Sequence, residues 1–235
     1  MKFFLKKIRK YLSRLVLPGI RRWASIMLFC NKLLGQGYTK IWQYSDYSSY
    51  EHRFDYLRGI ENFYWMERGI IGLRYLLEKS VVLDLGCGDG FFSGIFYSTR
   101  AQAVDAIDYD SRNIKLAKKY YQKDNVNFYQ ADITRIDLSK KYDAIYLFAV
   151  IEHFTVAEGE ALVRKISSAL DGDGFFMGST PLFSAKGGHN IEHQNEFSTE
   201  QEVKNFMIKS FEQVETWVSP WPNRQECYFL CRQPK

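Results

Sequence analysis

The segment Asp84-Leu-Gly86-Cys87-Gly88-Asp89-Gly90 places glycine at every second position, directly after the apolar run Val81-Val-Leu83 and directly before Phe91-Phe92. Glycine tolerates left-handed backbone and brings no side chain. Such a turn lets the main chain pass close beneath a ligand and aims the amides of a following helix at it. A dinucleotide fingerprint would ask for glycine at position 91, where Phe91 stands, and does not ask for an acid two positions before the first glycine. Two further acids close the next apolar runs: Asp108, eighteen residues past Gly90 and followed by Tyr109, and Asp132, followed by Ile133. Taken singly, Asp84 could cap the next helix and Asp108 could form an Asx-turn ahead of Ser111. Three of the four histidines, His153, His189 and His193, fall after the fourth and fifth apolar runs, where an imidazole can accept a proton at neutral pH.

The four cysteines, Cys30, Cys87, Cys227 and Cys231, show no CxxC pair and no zinc spacing, which points to a reducing compartment. Cys87 reads as a small filler between glycines. Cys227 and Cys231 share one face of a strand and read as core.

Positioning these residues requires alternating strands and helices, and the pattern supplies them. The runs VVLDL, AVDAI, VNFYQ, DAIYLF and FFMGS alternate with helical stretches from Phe91, over Ser111 to Tyr121, over Val156 to Leu170 and over Thr199 to Ser210. QVETWV and ECYFLC then follow as a closing antiparallel pair. Strands separated by helices make βαβ units with right-handed crossovers, and ligands bind at the carboxyl edge of such sheets. The expected fold is therefore α/β, a doubly wound Rossmann-like sheet ending in an antiparallel hairpin, with a helical N-terminal extension. The chain divides into a basic amphipathic extension over 1–45, an aromatic-rich lead-in over 46–80, helical from about Glu61, and the α/β domain over 81–235.

The acidic residue followed by Gly86-x-Gly88-x-Gly90 resembles the first motif of the class I S-adenosylmethionine-dependent methyltransferases. The resemblance extends through Asp108, Asp132 and the fourth strand closing in Glu152-His153. It covers about residues 81–180 and implies a seven-stranded sheet, S-adenosyl-L-methionine as cofactor and methyl transfer as the reaction. It implies a cofactor-binding set of Asp84, Gly86, Gly88, Gly90, Asp108, Tyr109, Asp132, Ile133 and Phe148. Asp108 would pair with both ribose hydroxyls, a task that suits a carboxylate because it accepts two hydrogen bonds side by side. Asp132 would read the adenine amino group, and Tyr109 would flank the ring.

The family likeness also bears on the acceptor. The long polar stretch from Ser179 to Gln201, with its His189 and His193, resembles the H…F-S/T-x-E-E stretch that borders the acceptor pocket in relatives; it closes in Phe197-Ser198-Thr199-Glu200-Gln201, where only Glu200 of the two closing acids matches in type. His153, His193 and His189 are the candidate catalytic residues; for His153 the alternative is a structural role in orienting the loop after the fourth strand. Some relatives carry a Glu-x-x-Glu-His metal set here, but Ala149 stands where its first carboxylate would be, so no metal site is expected. The NPPY signature for methylating base or amide nitrogen is missing, which favours oxygen as acceptor atom.

Charge separates the extension from the body. Of 235 residues carrying net charge +5, the first 45 hold ten basic residues and no acidic one, while the remaining 190 hold 22 basic and 27 acidic. The apolar residues Phe4, Leu5, Ile8, Leu12, Leu15 and Val16 recur at helical spacing among these basic ones. Pro18-Gly19 is expected to break the helix, and a second amphipathic stretch carries Ile20, Trp23, Met27, Cys30 and Leu34 to Gly35-Gln-Gly37. A basic amphipathic helix pair with aromatic residues on its apolar side can lie in an anionic membrane interface. No span or cleavable signal is visible, so a cytoplasmic protein, peripheral on the inner membrane face through residues 1–37, is expected. The acceptor would then be a small molecule, a glycan or a lipid-linked compound. The competing readings are an RNA-binding methyltransferase, with the same basic residues on phosphates, and a non-catalytic cofactor-binding regulator.

Overall fold

The computed structural model describes residues 16–34, 36–37, 52–53, 64–183, 193–221 and 224–235. The chain forms two compact units, one of Met1–Tyr47 with Arg53–Asn62 and one of Ser48–His52 with Phe63–Lys235.

In the first unit, residues 16–34 form one continuous helix, α1. The expected break at Pro18-Gly19 is absent. Proline's φ is already helical, so it costs the helix an amide bond and some crowding in the preceding turn rather than its path. The basic stretch before residue 16 lies outside the described residues.

The second unit is a seven-stranded sheet in the order β3-β2-β1-β4-β5-β7-β6. The strands are β1 (Val81–Leu85), β2 (Ala103–Asp108), β3 (Val126–Gln130), β4 (Tyr142–Phe148), β5 (Leu170–Pro181), β6 (Phe211–Trp221) and β7 (Arg224–Pro234). Five strands run parallel, and β7 is antiparallel to both β5 and β6, as the sequence led one to expect. The order reverses between β1 and β4, the point at which such sheets open a crevice for ligands.

The helices are α2 (Tyr64–Tyr75), α3 (Phe91–Ile95), α4 (Ser111–Tyr120), α5 (Val156–Ala169) and α6 (Glu200–Met207). They cover both faces, which is why the inner strands read as unbroken apolar runs rather than alternating ones. Val82 and Tyr146 face one core layer with Trp65, Phe92, Ile114 and Ala117 from α2, α3 and α4. Leu83 and Ile145 face the other, with Leu162, Ile166, Val203 and Phe206 from α5 and α6. Cys227 and Cys231 lie together in that second layer, fully buried, as their spacing implied.

Leu170 departs from the sequence expectation. It closes the helical pattern in sequence but opens β5, because its backbone pairs with Tyr142 one register shift away from the Ala144–Phe175 pairing. The lead-in helix is anchored through its interior. The Tyr146 hydroxyl donates to the Gly72 carbonyl over 2.8 Å, and a methyl group on Gly72 would come within 2.9 Å of the Tyr97 ring.

Candidate cofactor and acceptor site

The turn after β1 uses all three glycines in left-handed backbone, at φ 71, 56 and 81°. A side chain at Gly86 would strike Val150 at 2.4 Å, and one at Gly90 would strike Phe128 at 2.6 Å, so the turn is pressed against the segment after β4 on one side and β3 on the other. Gly88 has nothing within 4 Å of where a side chain would be, so its backbone faces open space. The middle of the turn is thus the place where a ligand can lie on bare main chain.

Two acids flank that opening. Asp84 is buried, and the Ser93 hydroxyl donates to it over 2.5 Å. Burial raises its pKa to about 7; the Ser93 bond opposes this and the charge of Asp108 adds to it. Asp108, also buried, has one carboxylate oxygen bonded by the Gly88 amide at 2.9 Å, and the other by the Asp110 amide at 2.8 Å and the Asn113 side chain at 3.2 Å. Its pKa is raised too, by burial, with these bonds pulling against it. A pair of buried acids around an open turn repels phosphate and attracts a cation. This set of acceptors therefore suits a cationic or hydroxyl-bearing ligand, since a carboxylate with three hydrogen bonds retains acceptor capacity.

The remaining sequence candidates separate. Tyr109 stands 71% exposed beside Asp108, its ring free to flank a ligand. Asp132 lies on the same edge, but Thr134 binds it through amide and hydroxyl at 2.9 and 2.7 Å and Arg135 approaches to 3.3 Å. The Thr134 bonds hold its pKa below the usual carboxylate range. Ile133 is buried in the core, and Phe148 is buried against Phe92 and Tyr228, with centroids 6.2 and 6.3 Å away. The Cys87 thiol is buried and pushed well up, chiefly by that burial, which suits a filler rather than a nucleophile.

The second half of the site forms after β4. Ala149 adopts a left-handed φ of 52° and turns the chain into a short 3-10 segment, Ile151–His153. The Glu152 carbonyl accepts the amides of Gln194 and Asn195 at 2.9 and 3.1 Å, pinning the stretch after β5 onto this turn. His193 is thereby brought beside His153, with ring centroids 5.2 Å apart at 82°. Glu196 lies 3.7 Å from His193 Nδ1, and the Thr180 hydroxyl donates to the Glu152 carboxyl at 3.2 Å. Burial raises the pKa of Glu152 to about 7 against the pull of His153. The ligating atoms of Glu152, His153 and His193 all lie within 4.8 Å of one another, a donor set that could hold a divalent ion. Ala149 supplies no fourth donor. His189 lies outside the described residues.

Residues 82–174 match the model of a methyltransferase domain. With the strand order, the glycine turn and the acid at the end of β2, this decides the family. The chain carries a class I S-adenosylmethionine-dependent methyltransferase domain. The domain is 31% identical over 100 residues to a malonyl-[acyl-carrier protein] O-methyltransferase of Acetivibrio thermocellus, covering 42% of this chain and 35% of the relative. It is 36% identical over 105 residues to a ubiquinone biosynthesis O-methyltransferase of Rickettsia typhi, covering 43% and 40%. The matches span well under half the length of these curated relatives. Among solved structures, the N-methyltransferase NodS of Bradyrhizobium japonicum in complex with S-adenosyl-L-homocysteine matches with TM-score 0.60 over 75% of this chain and 89% of its own, at 14% identity. The methyltransferase fold is thus shared well beyond recognisable sequence likeness.

Three groups at this site carry no local signal in the sequence. His52 reaches the turn from 37 residues away and bonds Asp89. Glu152 stands out in sequence only as the neighbour of His153. Arg68, from α2, forms a buried ion pair with Glu226 of β7, which also takes the Ser179 hydroxyl at 2.5 Å and Arg224 at 2.5 Å. Burial pushes the Glu226 carboxyl up, but the two arginines and Ser179 hold it below its ordinary value.

Proposed function

We propose that this chain transfers a methyl group from S-adenosyl-L-methionine to an oxygen of a small-molecule, glycan or lipid-linked acceptor at the cytoplasmic face of a membrane. The observation that carries the reading is the pair of buried acids, Asp84 and Asp108, around the open backbone of Gly88. The bound cofactor would supply an electrophilic methyl on a sulfonium. Asp84 would receive its ammonium group, Asp108 its ribose hydroxyls, and Tyr109 and Asp132 would flank the adenine. The backbone of Gly86, Gly88 and Gly90 would lie beneath it, with Ile133 and Phe148 as the apolar floor behind.

The chain's own contribution to the chemistry is alignment, exclusion of water and removal of a proton. His153 is the candidate base for an acceptor hydroxyl, and His193, ring against ring with it, is the second group able to take that proton. His189 belongs to the same stretch of sequence as His193 and is proposed as an acceptor contact. The curated relatives cited above are named as O-methyltransferases, which agrees with oxygen as the target.

The membrane part of the reading rests on α1. Ile20, Trp23, Met27 and Leu34 are exposed along it, with Arg21, Arg22 and Lys32 between them. An exposed helix that mixes large apolar and cationic side chains can insert its apolar residues at a lipid boundary while its charges meet headgroups. Among the described residues, no helix is long and apolar enough to cross a membrane.

The test is to incubate the full chain with methyl-labelled cofactor and a cell extract, then separate lipid, soluble small-molecule and glycan, RNA and protein fractions. Label in lipid, glycan or small-molecule material supports the reading. Label confined to RNA would replace it with the RNA-directed alternative, and label nowhere would leave a non-catalytic cofactor binder.

A further inference from the structure

Asp89 sits between two glycines of the cofactor turn and is fully buried, with one oxygen accepting the Phe91 amide at 3.1 Å. A carboxylate sealed from water needs donors, and two of those around Asp89 come from one distant residue. The His52 amide donates to one oxygen at 2.8 Å, and the other lies 2.7 Å from His52 Nδ1. Because Asp89 is an acceptor, Nδ1 carries the proton. The imidazole is itself held in an aromatic box: stacked on Phe91 at 5.2 Å and 15°, edge-on to Trp65 at 4.8 Å, and tilted against Phe92 at 5.2 Å.

We propose that His52 is a positioning residue for the cofactor, acting through Asp89 to fix the middle of the glycine turn. This rests on the reading that the turn holds S-adenosylmethionine. Gly88 and Gly90, the neighbours of Asp89, are both in left-handed backbone, and Asp108 accepts the Gly88 amide from one side. The anchoring of the residue between them holds the turn from the other. Without the Nδ1 donor, a buried carboxylate loses one of its partners and rotates to find another, and the amide of Gly88 turns with it. The bond from that amide to Asp108 then lengthens, and both cofactor contacts at the centre of the site are misplaced together. The aromatic box explains why the ring is held there; it does not explain why the ring is a histidine. Its Nδ1 edge meets Asp89.

Three variants of the full chain separate the donor from the packing. His52→Phe fills the box and removes the donor, His52→Asn puts an amide N–H near the position of Nδ1, and Asp89→Asn keeps the imidazole and weakens the same pairing. Calorimetric titration with S-adenosylmethionine is expected to show affinity about tenfold weaker for His52→Phe and for Asp89→Asn, and within about threefold of the parent for His52→Asn. Thermal melts of the three should not rank in that order. Equal affinity in His52→Phe and the parent would overturn the proposal, as would equal losses in His52→Phe and His52→Asn, which would make the residue a packing element. A parent chain that binds no cofactor would instead overturn the reading of the turn itself. Should His52→Phe fail to fold, Asp89→Asn decides by the same criterion.

Discussion

The Ser93 hydroxyl, in the helix that follows the glycine turn, donates over 2.5 Å to the carboxyl of Asp84 at the end of β1. This is a polar contact inside a core layer; it pulls the Asp84 pKa down, but burial outweighs it and raises the pKa to about 7. A group in that state is divided between its two forms near neutral pH, and a cation beside it favours the ionised one.

The cofactor's ammonium is expected to bind the ionised form, so affinity should rise with pH, by about fivefold between pH 6 and 7 for a single proton released on binding. Asp84→Asn should bind weakly and lose this dependence. The same group acts oppositely on the stability of the free chain. Its folded pKa lies above the unfolded one, so its contribution is present below about pH 4 and is lost as pH rises through about 7. Titrations at several pH values, alongside thermal melts, check both signs.

Arg68 is 1% exposed and its ion pair with Glu226 is sealed from water. Arg68→Ala should therefore destabilise the fold by about 3 kcal/mol, because it removes one of the two cations that offset the buried Glu226 carboxylate and leaves Arg224 and Ser179 to hold it. Arg68→Met with Glu226→Leu should cost less than the single change, since both fully buried charges are gone and the partly exposed Arg224 can turn to water. Denaturant unfolding of both variants checks this.

Deleting residues 1–37 should leave cofactor affinity unchanged and abolish sedimentation with anionic liposomes. Pelleting that survives the deletion would assign the α1 side chains a structural role.

Chelation should leave the transfer rate unchanged. Glu152, His153 and His193 converge, yet Ala149 offers no donor, and the Glu152 carboxyl is engaged by Thr180 with its pKa raised to about 7. Dialysis against a chelator, then assay with and without added magnesium or zinc, is the check.

The sheet and its crossovers were legible because buried parallel strands read as apolar runs and the turns between them carry glycine, aspartate and serine. Leu170 was not, because apolar periodicity does not distinguish the last turn of a helix from the first residue of a strand. Pro18 misled in the other direction, since its helical φ is compatible with continuation. At the site, Asp84, Asp108 and the three glycines announce themselves by spacing within thirty residues of one another. His52 and Arg68 do not, because their partners lie 37 and 158 residues away and no local pattern encodes a tertiary contact of that reach. Phe148 and Ile133 hold their places in the motif and are buried in the two core layers.

Calorimetric titration of the full chain with S-adenosyl-L-methionine, beside Asp108→Ala, decides whether the glycine turn and its acids hold the cofactor. One site per chain is expected, with affinity weakened by about 1.5–3 kcal/mol when the charge-assisted bonds of Asp108 are removed. Absence of binding by the parent chain, or equal affinity in Asp108→Ala, would contradict that assignment.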